Sequence, residues 1–226
     1  MQAQPNPNPN PRWTIFAVIA VGVVVGVVLS ACGGSNDSTS SSSTSTTATS
    51  KAEATGCKQV KAPPPKSVSF KAPKQVLKPG EEATAVVKTN CGTFEIALDT
   101  KRAPKTANSF AFLAEEGFYD DLTFHRVVPG FVIQGGDPEG SGRGGPGYKF
   151  ADEPVKGEYR VGAVAMANAG PDTNGSQFFI CLEDLTGRLP KQYKLFGQLS
   201  SCLDAVQAIR KGDKFNSISI EELPAS

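Results

Sequence analysis

The chain has 226 residues with 23 basic and 22 acidic side chains, so its net charge of +1 gives no sign of the broad positive surface by which proteins bind nucleic acids. A hydrophobic content of 39% is ordinary for a globular protein, and the length suits one good-sized domain with appended segments. We therefore predict a folded domain that does not take nucleic acid as a partner.

Residues 1–31 are predicted to be a signal peptide for export. Residues 1–11 are rich in Pro, Asn and Gln, Arg12 supplies one positive charge, and residues 13–29 are apolar or small except for Thr14. That run is short for a membrane-spanning helix and fits the apolar core of a secretory signal.

The five residues from Leu29 to Gly33, with the sequence LSACG, resemble the signal box of bacterial lipoproteins. The resemblance implies that the chain is cut before Cys32 and that this cysteine carries the lipid, with palmitate among its acyl chains. Two acyl chains suffice for stable anchoring. The alternative is an uncleaved anchor that contains a cysteine. In both cases we expect the protein at the cell membrane, on its extracytoplasmic face.

Two segments of unusual composition separate this signal from the predicted domain. Residues 32–56 are dominated by Ser and Thr and cannot bury enough apolar area to fold, so we predict a disordered, flexible tether. Residues 57–81 are rich in Lys and Pro, which favours a stiffer, extended connector. The folded domain is expected over residues 82–226.

Four of the five cysteines follow Cys32, and an exported compartment permits disulfides. Cys57 lies in the connector and Cys91 in a predicted turn, and we favour a disulfide between them that joins the connector to the domain. Cys181 lies in an apolar run and is predicted to be a small buried hydrophobe. Because His125 is the only histidine and no Cys-x-x-Cys pair exists, we predict no metal site and no cofactor.

The predicted domain is rich in short strands and contains two helices. Segments 85–88 and 93–98 form an expected hairpin, and further strands are expected at 122–128, 131–134, 160–166, 177–182, 193–199 and 217–220. One helix begins at Pro104 and ends at Gly117. Ser201 and Asp204 favour a capping box for the second helix, which Gly212 closes. This pattern favours an antiparallel barrel whose ends the helices cover.

Two segments are polar where a buried strand would be apolar. They are residues 124–137, FHRVVPGFVIQGGD, and residues 166–179, MANAGPDTNGSQFF. Both resemble, almost residue for residue, the signatures of the cyclophilin-type peptidyl-prolyl cis-trans isomerases, and the resemblance extends over residues 83–220. It implies a mainly β fold, a closed eight-stranded antiparallel barrel capped by two α-helices, with an active groove on its outer surface.

The resemblance also implies the site residues. By motif position, Arg126 matches the family's catalytic arginine and Gln134 matches a polar group beside it. The positions implied to bind the substrate are Phe131, Val132, Ala167, Asn168, Gln177, Phe179, Leu189 and Tyr193. The arginine is expected to donate an N–H to the proline nitrogen as the amide twists, which needs no nucleophile, metal or cofactor.

This sequence departs from the family at the pocket. Val132 stands where many members have Met, Tyr193 stands where a His is common, and the Trp that many members carry near Leu189 is absent. Because that Trp contributes to cyclosporin binding in the family, we expect weak cyclosporin sensitivity with the isomerase activity kept.

Several residues allow a plainer interpretation. Arg126 by itself would suit a surface salt bridge, and Phe131 and Phe179 would suit an ordinary core. His125 is expected to be a structural, hydrogen-bonded histidine. The Gly-rich loop, residues 140–147, lacks the Lys-Ser/Thr ending of a phosphate cradle and is expected to be a flexible loop beside the groove.

The predicted function is isomerisation of Xaa-Pro bonds in exported proteins, which assists their folding outside the cytoplasmic membrane. The expected partners are proline-containing segments of unfolded or exported proteins and the membrane, reached through the lipid, and the protein is expected to be a monomer. The alternative is a non-catalytic proline-peptide-binding module or chaperone that uses the same groove.

Overall fold

The computed structural model describes residues 56–222. The predicted signal peptide (1–31), the predicted lipidation site Cys32 and nearly all of the predicted tether (32–56) lie outside these residues. Across the part that is described, none of the helices has the length and apolar character needed to cross a bilayer.

Eight strands and two helices form within residues 56–222. In chain order they are β1 (Ala83–Thr89), β2 (Gly92–Leu98), α1 (Pro104–Glu115), β3 (Arg126–Val128), β4 (Val132–Gly135), β5 (Ala163–Met166), β6 (Phe178–Cys181), β7 (Leu195–Ser201), α2 (Leu203–Ala208) and β8 (Phe215–Glu222). All strand pairs are antiparallel, in the order β3-β4-β6-β5-β7-β2-β1-β8. The prediction of a mainly β domain with two helices is confirmed.

The sheet curls until the segments ahead of its two edge strands meet. Thr123 pairs with Lys214 in an isolated antiparallel bridge, and the Phe124 N–H donates to the Asp213 carbonyl at 2.8 Å. The hydrogen-bonded strand order has β3 and β8 at its two ends. The predicted barrel is therefore observed as a curled sheet, and these bonds link its edges ahead of β3 and β8.

The second helix differs from its prediction. It begins at Leu203, and its N-cap is Cys202, which has φ +55° and makes no side-chain capping bond. The predicted capping box of Ser201 and Asp204 is therefore wrong. A capping box needs an extended cap residue, whereas the left-handed backbone at Cys202 turns the chain directly out of β7.

The central strands are buried on both faces, which explains their continuous apolar sequences. In β5 and β6, alternate residues point into the main core inside the curled sheet or outward, because the side-chain period of a strand is two. Val164 and Phe178 belong to the inner core, and Ala165 and Phe179 belong to a second apolar cluster on the outer face. The outer cluster forms the floor of the candidate site.

Helix α1 packs on the sheet, and a distant carboxylate caps it. Its N-cap residue, Ala103, has no side chain that can cap the helix. Glu153 instead accepts hydrogen bonds from the Lys105 N–H at 3.0 Å and the Thr106 N–H at 2.9 Å. A carboxylate here satisfies orphan amide donors and interacts favourably with the helix dipole.

Residues 57–81, the predicted connector, form an extended strap across the domain. At its start Cys57 is bonded to Cys91 in the disulfide that the sequence favoured, and the Lys58 N–H donates to the Asn90 carbonyl at 2.9 Å. At its end the Gly80 N–H donates to a β2–α1 loop carbonyl. The strap is therefore tied to the domain at both ends.

Asn108 of α1 holds the last third of the strap. Its Oδ1 accepts from the N–H groups of Val76 at 2.8 Å and Leu77 at 3.0 Å, and its Nδ2 donates to the Lys74 carbonyl at 2.9 Å. Leu77 is only 2% exposed and belongs to the main core. The strap therefore contributes apolar burial to the domain.

We expect Leu77→Ala to lower the free energy of unfolding by about 2–3 kcal/mol, because it removes buried methyl groups and leaves a cavity. Urea unfolding followed by circular dichroism measures the change. Val68→Ala on the same strap is the matched control, since Val68 is 38% exposed and its truncation should cost less than about 0.5 kcal/mol. Equal stability of the two variants would contradict a packed strap.

Candidate active site

An apolar cavity of about 360 Å³ opens on the outer face of the sheet. This volume is within the range of small-molecule and side-chain binding pockets. Its lining consists of Arg126, Phe131, Val132, Gln134, Ala167, Asn168, Phe179, Leu189 and Tyr193. All nine are residues that the sequence assigned to the site.

Strand register brings the polar and apolar parts of this cavity together. Arg126 of β3 lies opposite Gln134 of β4, and Gln134 lies opposite Phe179 of β6. Residues directly opposite each other in antiparallel strands share one face of the sheet. The three side chains therefore form a row across three strands.

The turn between β3 and β4 places Phe131 on the same side. Gly130 has φ +66°, and the Phe131 N–H donates to the Val128 carbonyl at 3.0 Å, which closes a tight turn. The ring centre of Phe131 lies 5.8 Å from the guanidinium carbon of Arg126. That distance allows a cation–π contact, which limits where the guanidinium can lie.

A chain of hydrogen bonds through the side-chain amides of Gln134 and Gln177 orients Arg126. Its Nη1 donates to Gln134 Oε1 at 3.4 Å, Gln134 Nε2 donates to Gln177 Oε1 at 3.0 Å, and Gln177 Nε2 donates to the Gly144 carbonyl at 2.9 Å. Within the described residues Arg126 makes no ion pair with a carboxylate. Its remaining N–H groups are thus available to a ligand at the cavity rim.

One wall of the cavity is aromatic. The ring of Tyr193 meets Phe179 edge to face, with centroids 5.5 Å apart. Buried Tyr159 holds Tyr193 in place, because its hydroxyl donates to the Tyr193 carbonyl at 2.8 Å and accepts from the Tyr193 N–H at 3.1 Å. Burial raises the pKa of Tyr159, so its hydroxyl stays protonated at neutral pH.

The wall segment is also bonded to the peptide-binding stretch that the sequence predicted. Asn168 Nδ2 donates to the Gln192 carbonyl at 2.8 Å, and Gln192 Nε2 donates to the Tyr193 hydroxyl at 3.1 Å. Leu189 is held by its N–H, which donates to the Leu185 carbonyl at 3.2 Å. The side chains on either side of the opening are therefore fixed relative to each other.

A second, larger cavity of about 820 Å³ adjoins the first, and we call it the flanking cavity. Both cavities are lined by Gln134, Ala167 and Asn168. Gln177 lines the flanking cavity and does not line the apolar one. Residues 142–147 of the Gly-rich loop form its outer wall. The loop therefore lies beside the groove, as the sequence predicted.

Buried Asp137 organises the base of the Gly-rich loop. Its Oδ1 accepts from the Glu139 N–H at 2.8 Å, and its Oδ2 accepts from the Gly142 N–H. Asp137 ends the first motif, but the sequence analysis assigned it no role. An acidic residue three positions ahead of a glycine-rich segment is the signal that could have indicated it.

His125 differs from its prediction. Neither ring nitrogen has a hydrogen-bond partner within residues 56–222, so the expected hydrogen-bonded histidine is not found there. Burial, together with the nearby Arg126 and Lys211, lowers the pKa of His125 against the opposing effects of Asp137 and Gln177. The imidazole is therefore neutral at neutral pH, and it lies outside the lining of both cavities.

Two further residues at the site were missed. Arg188 places its guanidinium carbon 5.8 Å from the Phe131 ring centre, and Tyr159 supports the aromatic wall. Neither lies in the two sequence motifs, and no periodic pattern marks them. In the described part of the chain, one group could hold a metal, formed by Cys57, Cys91 and Asp213, but the disulfide occupies both sulfurs.

Comparisons with known proteins identify the family. Residues 84–223 match the family model described as cyclophilin type peptidyl-prolyl cis-trans isomerase/CLD. A peptidyl-prolyl cis-trans isomerase of Helicobacter pylori is 43% identical over 140 residues, which cover 60% of this chain and 85% of that protein. Peptidyl-prolyl cis-trans isomerase A of Mycobacterium tuberculosis is 46% identical over 148 residues, covering 57% of this chain and 81% of that protein.

Solved structures show the same similarity. The crystal structure of a cyclophilin type peptidyl-prolyl cis-trans isomerase of Cryptosporidium parvum has a TM-score of 0.58 and 32% identity, covering 63% of this chain and 99% of that chain. A structure of the same enzyme in the presence of the dipeptide Ala-Pro has a TM-score of 0.56. From the family match and the relatives, this chain belongs to the cyclophilin-type peptidyl-prolyl cis-trans isomerases and is an enzyme of that class.

Proposed function

We propose that this isomerase turns Xaa-Pro bonds in exported proteins outside the cytoplasmic membrane, where a lipid on Cys32 and a flexible tether hold it. The proposed catalytic group is Arg126, acting as an oriented hydrogen-bond donor. The apolar cavity beside the Arg126–Gln134–Gln177 line carries the proposal. A related enzyme was solved in the presence of Ala-Pro, which supports proline-containing peptides as partners.

The apolar cavity suits the ring of a substrate proline. Its floor consists of Val132 and Phe179, both almost fully buried, and Tyr193 forms one side. A proline ring placed there loses contact with water and gains dispersion contacts on several sides. Ala167 and Asn168, at the junction of the two cavities, are suited to hold the peptide on the N-terminal side of the proline.

Holding both sides leaves the amide between them as the part that turns. Amide resonance makes the barrier to this rotation about 18–20 kcal/mol. At the top of the barrier conjugation is lost, and the proline nitrogen regains a lone pair that can accept a hydrogen bond. An N–H of Arg126 at the cavity rim stabilises that state more than either planar state, which is what accelerates the reaction.

Arginine suits this task because it remains charged at every physiological pH and presents fixed donors. Gln134 accepts one guanidinium N–H, and Phe131 lies against the guanidinium, so the orientation is set before substrate arrives. A hydrogen bond that involves a charged group contributes roughly 1.5–3 kcal/mol, which corresponds to about a tenfold to hundredfold rate effect.

We expect Arg126→Ala to lower kcat/KM for a short Xaa-Pro peptide by about 10²-fold, because the donor to the twisting amide is lost while the ring cavity remains. A protease-coupled isomerisation assay measures this. Arg160→Ala is the matched control, since Arg160 is exposed and lies outside both cavities. A wild type that gives no acceleration would favour the non-catalytic binding module, and equal losses in both variants would refute the role of Arg126.

We expect cyclosporin to inhibit the wild type well above the nanomolar range, because the sole Trp of the chain is Trp13 and Arg188 lies at the rim where an indole could contribute. Arg188→Trp should tighten inhibition by about tenfold or more, since a buried aromatic contact contributes strongly to binding. Inhibition curves of both proteins, with peptide turnover measured in parallel, test this. Nanomolar inhibition of the wild type would refute it.

We expect radiolabelled palmitate to enter the wild type in a bacterial host and not Cys32→Ala, because only a thiol at that position can take the lipid. The Cys57–Cys91 disulfide supports an oxidising location. Cys181→Ser serves as the control and should label normally, since Cys181 is buried in the domain. Equal labelling of wild type and Cys32→Ala would refute the anchor without affecting the isomerase assignment.

A further inference from the structure

The strap contacts the segment that carries the Gly-rich loop. The Lys66 N–H donates to the Pro138 carbonyl at 2.9 Å, just ahead of the loop, and the Phe70 N–H donates to the Pro146 carbonyl at 2.7 Å, near its end. Two backbone hydrogen bonds therefore join strap residues 66–70 to both ends of the loop. These strap residues lie outside the region that matches the isomerase family.

The contact leaves no room for a side chain at Gly147. A Cβ built on Gly147 would lie 2.1 Å from Ser69 Oγ and 2.9 Å from the Phe70 carbonyl oxygen, and φ at this residue is +90°. Both distances are shorter than real Cβ atoms show, and although the Ser69 hydroxyl could rotate away, the Phe70 backbone could not. Glycine at this position is therefore what allows the two backbones to touch.

The domain in turn holds this part of the strap. The ring of Phe70 meets Phe112 edge to face, with centroids 5.2 Å apart, and Phe118 at 6.3 Å. The ammonium group of Lys66 donates to the Asp120 carbonyl. Because Phe70 packs on α1 and the chain after it, its N–H points at the loop from a fixed base.

The loop connects this contact to the groove. The Gly144 carbonyl accepts from Gln177, which is bonded to Gln134 beside the proposed catalytic arginine. Loop residues also form the outer wall of the flanking cavity, which shares Ala167 and Asn168 with the apolar cavity. In the binding mode proposed above, a peptide whose proline occupies the apolar cavity passes its preceding residues toward that wall.

We propose that strap residues 66–70 determine substrate selectivity by positioning the Gly-rich loop against the residues that precede the Xaa-Pro pair. Phe70 is the principal positioning residue, and it acts through Pro146 and Gly147. The inference rests on the proposed use of the groove for proline peptides. It assigns the strap a role in the reaction besides its part in stability.

The composition of the loop explains why it needs an external support. Five of the eight residues from 140 to 147 are glycine, and a free glycine-rich segment samples many backbone conformations. Bonds to the strap and to Asp137 restrict that freedom. Without the strap contact, a peptide would have to order the loop on binding, which raises KM. The strands hold Arg126 independently, so kcat should change little.

The experiment compares full-length wild type with Phe70→Ala on two peptides that differ only in the residue before the Xaa-Pro pair, glycine or phenylalanine. We expect Phe70→Ala to change the ratio of kcat/KM for the two peptides by roughly threefold to tenfold, mainly through KM. Phe70→Leu, which keeps an apolar side chain of similar reach, should leave the ratio of kcat/KM for the two peptides close to the wild-type value. Gly147→Ala disrupts the same contact, because its added Cβ pushes the loop away from the strap. It should shift the ratio in the same direction as Phe70→Ala.

Leu77→Ala is the matched control, because it weakens the strap at its other end, beside Asn108, without touching the loop. It should lower stability and leave the peptide ratio at the wild-type value. An unchanged ratio in both Phe70→Ala and Gly147→Ala would overturn the inference. So would the same ratio change in Leu77→Ala, since that would indicate general loosening of the domain.

A binding measurement separates this inference from the proposed function. Dissociation constants for the two peptides, measured by fluorescence anisotropy with labelled peptides, do not require catalysis. If the wild type failed to isomerise but the ratio of dissociation constants still shifted in Phe70→Ala, the catalytic proposal would fail and the strap inference would stand. If the wild type isomerised and neither ratio shifted, the strap inference alone would fail.

Discussion

The register of β3, β4 and β6 is the constraint on which the site depends. Arg126, Gln134 and Phe179 stand in one row because each lies opposite the next across paired strands. A shift of one residue in either pairing would send the arginine to the other face of the sheet. The tight turn at Gly130 between β3 and β4 helps to prevent that shift, and the buried inner faces of β4 and β6 oppose it further. Backbone pairing therefore determines the chemistry of the rim.

Burial on both faces of the sheet gives the groove its rigidity. The outer cluster around Phe179 packs on strands whose inner faces belong to the main core, so its residues have little freedom to move. A preformed cavity suits a reaction in which one bond must rotate while its surroundings stay still. The polar line from Arg126 through Gln134 to Gln177 lies at the edge of this cluster, where the guanidinium keeps contact with water and avoids the cost of full desolvation.

Much of the fold and the lining of the candidate site could be predicted because the motifs are long and the strands alternate regularly. The shared face of Arg126, Phe131 and Gln134 could not be counted from the sequence, since it depends on the turn at Gly130. The packing of the strap on the domain could not be predicted from the sequence either. Leu77 and Val76 form a single apolar pair in a Lys- and Pro-rich run, and the partner of Leu77, Asn108, lies 31 residues away. No local period marks such a contact.

The disulfide between Cys57 and Cys91 has a mechanical consequence. A pull on the chain ahead of Cys57 passes mainly through the covalent bond to Cys91 in the β1–β2 turn, and residues 58–81 carry little of it. From Cys91 the load enters β1 and β2, two strands that each have a hydrogen-bonded neighbour on both sides to share it. The contacts of Phe70 and Leu77 are bypassed. For the tethered enzyme proposed above, a force on the tether would therefore leave the geometry beside the groove unstrained.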